Sequence, residues 1–501
     1  MLPEVREFER TSTTAVCAYV GPILESYLTQ LETAVTGLGL PNLHIMGSTG
    51  GVFDVKEALR IPVNSIESGP AAGVIAAQLI GLQINEPDLI SFDMGGTTAK
   101  ASLIRDGKIE ITAEYEVGGS GSQNRWVTGT GHPIRVPVID LAEVSAGGGS
   151  IAWVDPAGSL RVGPGSAGAE PGPVCYGQGG TEPTVTDANL VLGYLDANSL
   201  LDGGLPIDYN RAVRALEEKI GNPMNMDAQT AAAAIREIVN NSMAEALRIV
   251  SIERGHDPRE FCLVAFGGAG PLHAAALAGE LEIPRVIIPP IPGGFSALGL
   301  VGTDVRRDYA RTLYQPLSDL EARDISAVWS ELITEGKNML KESGIPASRW
   351  QFHRSADLRY TRQAYELNVT ADEGEFTTTA KDQLADRFHA RHEQTYGHQN
   401  PNEPVHLVTL RLTAVGKLDR LEITHRPDPI GNSEKSRRSA WFSDVGTVEC
   451  AVHDRSRLDA TAQLTGPAIV ESLDSTLVIP PGWSASNDHR GFITMERHHN
   501  E

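Results

Sequence analysis

Cysteine is scarce in this chain: four residues in 501, Cys17, Cys175, Cys262 and Cys450, far apart and with no CxxC. That spacing excludes a zinc ribbon and a disulfide framework. Four free thiols fit a reducing compartment. Positive charge is also short, with 42 Lys and Arg against 64 Asp and Glu, a formal net charge of −22. Long-range repulsion on that scale argues against a nucleic acid or an anionic membrane as partner. No apolar run approaches the ~18 residues that a membrane-spanning helix needs. The opening MLPEVREFER is charged and has no apolar core, unlike a secretory signal. The expectation is a soluble, cytoplasmic protein with no nucleic-acid and no membrane partner. GxxxxGK[ST], HExxH and GxSxG are absent too, which removes the Walker-type phosphate loop, the zinc-protease helix and the serine-hydrolase elbow.

The length exceeds what one hydrophobic core serves, so two or three domains are expected. Residues 12–36 carry apolar side chains at helical spacing (Val16, Tyr19, Val20, Ile23, Leu24, Tyr27, Leu28, Leu31, Val35), and Pro22 predicts a bend or a break. LHIM (43–46) reads as a short strand, GSTGG (47–51) as a loop and FDVKEAL as helical. ESGPAAGVIAAQLIG (67–81) reads as a loop entering a small-residue helix. This strand–loop–helix alternation makes the class α/β. Residues 129–180 hold 13 glycines in 52 positions, yet SIAWVD and SLRVG about Asp155-Pro156-Ala157-Gly158 predict a hairpin, so the region reads as short strands crossing a site. Asp227 caps a helix over 227–255, and FCLVAF (261–266), LHAAALAGEL (272–281) and RVII (285–288) give strand, helix and strand. A helix is expected near 322–343, with strands dominating afterwards. A boundary near 315 divides the chain into 1–315 and 316–501.

Residues 89–111 carry the strongest chemical signal. LISFD is an apolar strand ending in Asp93, Met94-Gly95-Gly96-Thr97-Thr98 is a loop, and AKASLIRDGKIEI continues as two strands about Asp106-Gly107. A dinucleotide loop would enter a helix; here a hairpin follows. Glycines without Cβ let backbone amides approach phosphate oxygens, and the hydroxyls of Thr97 and Thr98 add donors. Asp93 at the strand end can hold magnesium. A second loop, FGGAGPLHA (266–274), lies between a buried strand and a helix, where amides can meet an adenosine or a phosphate. Its GxGxxH pattern, with no acidic residue at dinucleotide spacing, fits a different ATP fold.

At this point several stretches resemble one family. REFERTSTTAVCAYVGP (6–22), MGSTGGV (46–52), ESGPAAGVIAA (67–77), SFDMGGTTAK (91–100), IDLAEVSAGGGSIAWVD (139–155), VGPGSAGAEPGPVCYGQGG (162–180), PTVTDANLVLGYL (183–195), FGGAGPLHA and the tail GPAIVESLDSTLVIPPGW (466–483) are similar to hydantoinase A of the hydantoinase/oxoprolinase family. The resemblance implies an actin/sugar-kinase-like ATPase lobe, residues 1–315, followed by a smaller α+β C-terminal domain, 316–501. It implies cleavage of cyclic amides such as hydantoins and 5-oxoproline at the expense of ATP, or, as in relatives, carboxylation of ketones. It implies that Asp93 binds Mg-ATP, with Mn2+ as the alternative ion. Gly95, Gly96, Thr97 and Thr98 would then hold the phosphates, while Gly267, Gly268 and Pro271 border the adenosine. It further implies a hydantoinase B-type partner subunit. The family's front domain, with its own Asp-x-Gly-Gly-Thr loop, is not found in these 501 residues and is expected in cis or in trans.

His132 and Asp140 are candidate ligands, with Asp93, for divalent metal, which leaves room for a second ion. Asp187 is a candidate partner for metal or substrate, or a cap for the helix after it. Cys175 has no histidine near it in sequence and reads as a packed thiol. Three functions follow: the ATP-binding part of a cyclic amide hydrolase, a subunit of an ATP-dependent ketone carboxylase, or a truncated, non-catalytic scaffold.

Overall fold

A computed structural model describes residues 7–40, 43–112, 115–117, 131–197, 204–363, 365–419 and 432–498. The chain enters as helix α1 (Glu7–Gly37), which runs through Pro22 without a break. Ala18 and Pro22 are both exposed, so the carbonyl that loses its helical donor there can turn to water. Only Thr13, Cys17 and Leu28 of α1 are buried. Its apolar band is wider than the surface that covers it, and Phe8, Tyr19, Ile23 and Tyr27 are 60–80% exposed. Strands β1 (His44–Met46) and β2 (Val52–Asp54) pair antiparallel, and α2 (Ser68–Ile84) is the expected small-residue helix.

The central sheet is built next. Strands β3 (Leu89–Met94) and β4 (Ala99–Arg105) form the predicted hairpin, and β5 (Ala142–Val144) extends it. After α3 (Ala228–Val250), capped by Asp227 as expected, β6 (Cys262–Phe266) lies parallel to β3. Helix α4 (Gly270–Glu280) leads to β7 (Arg285–Ile288), parallel to β6. Leu89, Ile90, Phe92 and Met94 are fully buried, because both faces of the sheet are covered. Ala71, Val74, Ala77 and Ile80 of α2 pack on one side; Ile235, Val239, Met243 and Leu247 of α3 pack on the other. This is the layered α/β arrangement that the βα alternation requires.

The second sheet follows β8 (Val305–Pro316) and α5 (Ala322–Glu342). It takes β9 (Trp350–Tyr360), β10 (Leu367–Ala371) and β11 (Val405–Gly416), in the order β1-β2-β8-β11-β9-β10. Its apolar face, including Leu410, Leu412 and Ala356, packs with Trp329 of α5 and with Leu384 and Phe388 of α6 (Thr378–Tyr396). Helix α6 falls where strands were expected to dominate. Thr377 caps its start and Gly397 ends it in the left-handed region.

The sheets do not follow the order of the chain. Strands β1 and β2 from the N-terminal part join the second sheet. Strands β12 (Gln463–Thr465), β13 (Trp483–Asn487) and β14 (Ile493–Arg497) return to the central one, β14 pairing with β7. The expected boundary near 315 falls at the end of β8. The central sheet and its helices form an α/β lobe, and the second sheet with α5 and α6 forms a smaller α+β unit. No helix among the described residues is long and apolar enough to cross a membrane.

Candidate functional site

Strands β3 and β6 run parallel with Asp93 opposite Phe266. Both strands therefore end on the same edge and deliver their loops side by side, the place where open α/β sheets bind ligands. The 267–270 loop is clamped to the hairpin by Ala269 N–H donating to the Met94 carbonyl at 3.0 Å. Gly267 sits at φ +81°, and a Cβ there would lie 2.4 Å from the Met94 oxygen and 2.5 Å from Asp93 Oδ1. Only glycine permits that approach.

The hairpin loop is tied down on one side and open on the other. Gly95 N–H donates to Thr98 O at 3.1 Å, closing the turn, while Gly148 and Gly149 N–H donate to the carbonyls of Gly95 and Gly96 at 3.0 and 2.7 Å. The N–H groups of Gly96 and Thr97, and the hydroxyls of Thr97 and Thr98, have no acceptor among the described residues. Gly96 and Thr97 are exposed. Unused, outward-facing donors held by a rigid backbone are what an oxyanion accepts from.

Asp93 is half-buried, and no hydrogen bond or ion pair engages its carboxylate among the described residues. Burial pushes its pKa up from the usual carboxylate value, with the Lys100 charge pulling the other way. Lys100 lies across the ladder from Asp93, but its ammonium is held by Glu67 at 2.6 Å and Glu143 at 3.5 Å. An unpaired, partly desolvated carboxylate beside free amide donors suits a hard cation between carboxylate and phosphate.

Gly268 is exposed and borders the Asp474 backbone, and Pro271 is buried in the first turn of α4. The structure thus gathers Asp93, Gly95, Gly96, Thr97, Thr98, Gly267, Gly268 and Pro271 on one edge of the sheet. It does not bring His132 and Asp140 into a metal centre with them. His132 is exposed on a two-stranded ribbon, paired with Val117. Asp140 is ion-paired with Arg254. Among the described residues no group of three or more His, Cys, Asp or Glu is arranged to hold a metal ion. Asp187 is fully buried in a capping box with Thr184. Its carboxylate also accepts from the N–H groups of Val174 and Cys175, at 3.2 and 2.7 Å, so its position is that of a cap. Cys175 is buried, and burial together with Asp187 raises its thiol pKa, as for a packed thiol.

Two contributors escaped the sequence reading. Gly147–Gly149 stood out as a glycine run, but nothing local assigns it to the 95–96 carbonyls. Asp474, whose carboxylate accepts Gly293 N–H at 2.7 Å beside Gly268, lies in a loop with no phosphate-like pattern.

Comparison with known proteins matches residues 10–309 to the hydantoinase/oxoprolinase family model and residues 318–498 to the hydantoinase/oxoprolinase C-terminal domain. An uncharacterised protein of Methanocaldococcus jannaschii is 44% identical over 99% of this chain and 71% of its own length. The caprolactamase alpha subunit of Pseudomonas jessenii is 33% identical over 97% of this chain and 70% of its own. The crystal structure of the ATP-dependent caprolactamase from that organism superposes with a TM-score of 0.81 at 32% identity, covering 99% of this chain and 72% of that one. The nucleotide-free acetone carboxylase structure gives 0.81 at 25% identity, covering 98% and 70%. The relatives named as enzymes are subunits or parts of ATP-dependent systems. The chain belongs to the hydantoinase/oxoprolinase family.

Proposed function

We propose that this chain is the ATP-handling part of an enzyme that hydrolyses a cyclic amide by phosphorylating the ring carbonyl oxygen. The observation that carries the reading is the unengaged, partly buried Asp93 carboxylate beside a hairpin whose Gly96 and Thr97 amides and threonine hydroxyls have no partners among the described residues. The residues fit Mg-ATP: Asp93 would take the metal, Gly96, Thr97 and Thr98 the phosphates, and Gly267, Gly268 and Pro271 the adenosine side. Bound magnesium supplies charge neutralisation at the phosphates, and ATP, the co-substrate, supplies the phosphoryl group. A lactam carbonyl is a poor electrophile; once its oxygen is phosphorylated, water adds to the ring carbon, the C–N bond breaks with the nitrogen leaving as a protonated amine, and a second water hydrolyses the resulting acyl phosphate to carboxylate and phosphate. The chain's own contribution is positioning and electrostatics, which dominate phosphoryl transfer. The 147–149 clasp keeps the donors fixed, and the burial of Asp93 keeps bulk water from screening its charge.

A B-type subunit and a front lobe with its own phosphate loop would complete the site, and coupled turnover is assigned to that assembly rather than to this chain alone. The likeness to acetone carboxylase supports a second reading, a ketone carboxylase subunit, which uses the same nucleotide site. Calorimetry of Mg-ATP binding tests what the two share. Asp93→Ala should weaken binding by roughly 10²-fold, since a metal-bridged phosphate contact is lost. Unchanged affinity in a folded variant removes Asp93 from the site. Phosphate release by the reconstituted assembly, with a lactam or with a ketone and bicarbonate, separates the two chemistries.

A further inference from the structure

Beyond the hairpin, the loops that leave β6 and β7 meet a turn from far along the chain. Strands β3, β6 and β7 are neighbours in that order, so their outgoing loops, 95–98, 267–269 and 289–294, stand in a row. Gly267 N–H donates to the Pro292 carbonyl at 2.9 Å, which ties the second loop to the third. The turn 472–475 connects Ala468–Glu471 to Thr476–Ile479, an antiparallel pair. The second of these strands packs on α4, with Leu477 and Val478 in the same core as Leu272 and Ala275. Its course along α4 leaves the tip of the turn beside the start of that helix, where Asp474 reaches both loops. Asp474 Oδ2 accepts Gly293 N–H at 2.7 Å, and a Cβ on Gly268 would lie 3.6 Å from the Asp474 backbone oxygen. Buried Arg455 stiffens the corner: its Nη2 donates to the carbonyl of Ile288, the last residue of β7, at 3.1 Å and to that of Gly491 at 3.0 Å.

What the corner leaves open is both polar and apolar. Asp474 Oδ1 accepts no hydrogen bond among the described residues. Gly268 is exposed, and its N–H has no acceptor among them. On either side of the Gly293–Asp474 bond, Ile291 is 52% exposed and Leu473 is 66% exposed. A single exposed apolar side chain is ordinary. Two of them, beside a half-used carboxylate and an unused amide, give the apolar wall with few fixed polar groups that a small-molecule site presents. A phosphate is a poor match for the Asp474 carboxylate, so the corner does not extend the phosphate side. It suits an uncharged group that carries hydrogen-bond donors and an apolar face. The loops of β3 and β7 are two strand spacings apart, about 10 Å, which leaves room for phosphates over one and a nucleoside over the other.

We propose that Asp474 is a specificity residue of the nucleotide site, accepting a hydrogen bond from an N–H or O–H of the nucleoside while Ile291 and Leu473 flank its ring system. The inference rests on the nucleotide reading above. It places recognition of the nucleoside on a turn within residues 318–498, the stretch matched to the C-terminal domain, and leaves the phosphates to the hairpin.

Calorimetry of the full chain with Mg-ATP and with magnesium tripolyphosphate, which has the phosphates and no nucleoside, tests it. Mg-ATP should bind the more tightly. Asp474→Asn can keep the Gly293 bond through its amide oxygen but sets an NH2 group where Oδ1 was; it should weaken Mg-ATP about tenfold. Leu473→Ser and Ile291→Ser should each weaken it several-fold. None of the three should change tripolyphosphate affinity, and unchanged melting temperatures would show that the variants fold. Asp93→Ala, in contrast, should weaken both ligands, so the two proposals fail separately. Equal affinity for ATP and tripolyphosphate, or Mg-ATP affinity untouched by all three variants, overturns this inference and leaves the phosphate side standing. So does an equal loss of both ligands in the variants, since the turn would then act only by holding the loops. Binding of neither ligand to the native chain removes the nucleotide edge, and this corner with it.

Discussion

The edge formed by β3 and β6 and the stretch of β8 beyond Val305, where β2 no longer pairs with it, both present unused donors, and they are made of different material. At the edge the donors are two backbone amides and two threonine hydroxyls on a tight turn, and the carboxylate beside them, that of Asp93, has no partner among the described residues. Along β8 they are side chains: Arg307 Nε and Tyr309 Oη are buried with no partner among the described residues, beside Glu57, which Arg60 and Arg307 already engage. A backbone site depends on close approach and tolerates little added volume. A side-chain site depends on charge balance, and its groups can be exchanged singly. The two should therefore answer differently to the same class of substitution.

The largest separation is expected from Gly267→Ala. The new methyl meets a backbone oxygen and Asp93 itself at a positive φ, so the ends of β3 and β6 must move. A displacement near 1 Å at such a site costs roughly 10²-fold. Mg-ATP affinity, read by calorimetry, should fall by that much, and an unchanged affinity in the folded variant would erase the contrast. Asp357→Asn reverses the roles. Asp357 is 6% exposed and accepts from Arg411 at 2.7 Å and Asn368 at 2.8 Å. Replacing it should cost about 2–3 kcal/mol of stability by denaturant unfolding and leave nucleotide affinity unaltered. The smallest effect concerns acidity. His273 in α4 is fully buried between Asn240, 2.6 Å from Nδ1, and Asn189, 3.3 Å from Nε2. Burial and nearby Arg236 hold its pKa well below the ordinary 6.5. A histidine kept neutral in the folded state contributes stability above pH 6.5 and loses it as the pH falls below that value. Melting temperature should decline below pH 6.5 in the native chain and less steeply in His273→Gln; parallel curves would show that another group governs the decline.

The contrast also explains what could be read from the sequence. The hairpin was legible because its determinants are consecutive: an apolar strand, Asp93, two glycines, two threonines, a strand. The Asp227 cap was legible for the same reason, and so was the hairpin about Asp155–Gly158. The clasp by Gly148 and Gly149 was not, since it closes across some 50 residues and glycine carries no side chain to name its partner. The group along β8 was invisible: Glu57, Arg307 and Tyr309 meet only in the folded chain, and nothing local in the sequence joins them. Of the bend or break expected at Pro22, the break is absent, because an exposed turn can lose a hydrogen bond without breaking. His132 and Asp140 were proposed from residue type alone; an exposed ribbon and the Arg254 ion pair account for their actual surroundings.

The return of β14 to the central sheet has a consequence for how the protein is made. Arg285 pairs with Glu496 and Ile288 with Ile493, so β7 waits for more than 200 residues of synthesis before that edge is filled. Until then an apolar strand, with Val286 and Ile288 destined for full burial, presents unpaired amides and carbonyls on a growing chain. Contacts so distant in sequence slow folding, and open strand edges invite pairing with other chains. Strands β8 to β11 of the second sheet are synthesised during that wait, so the nucleotide edge belongs to a sheet that is among the last parts of the molecule to be completed. Yield during expression should thus respond to temperature and chaperone supply through this one edge.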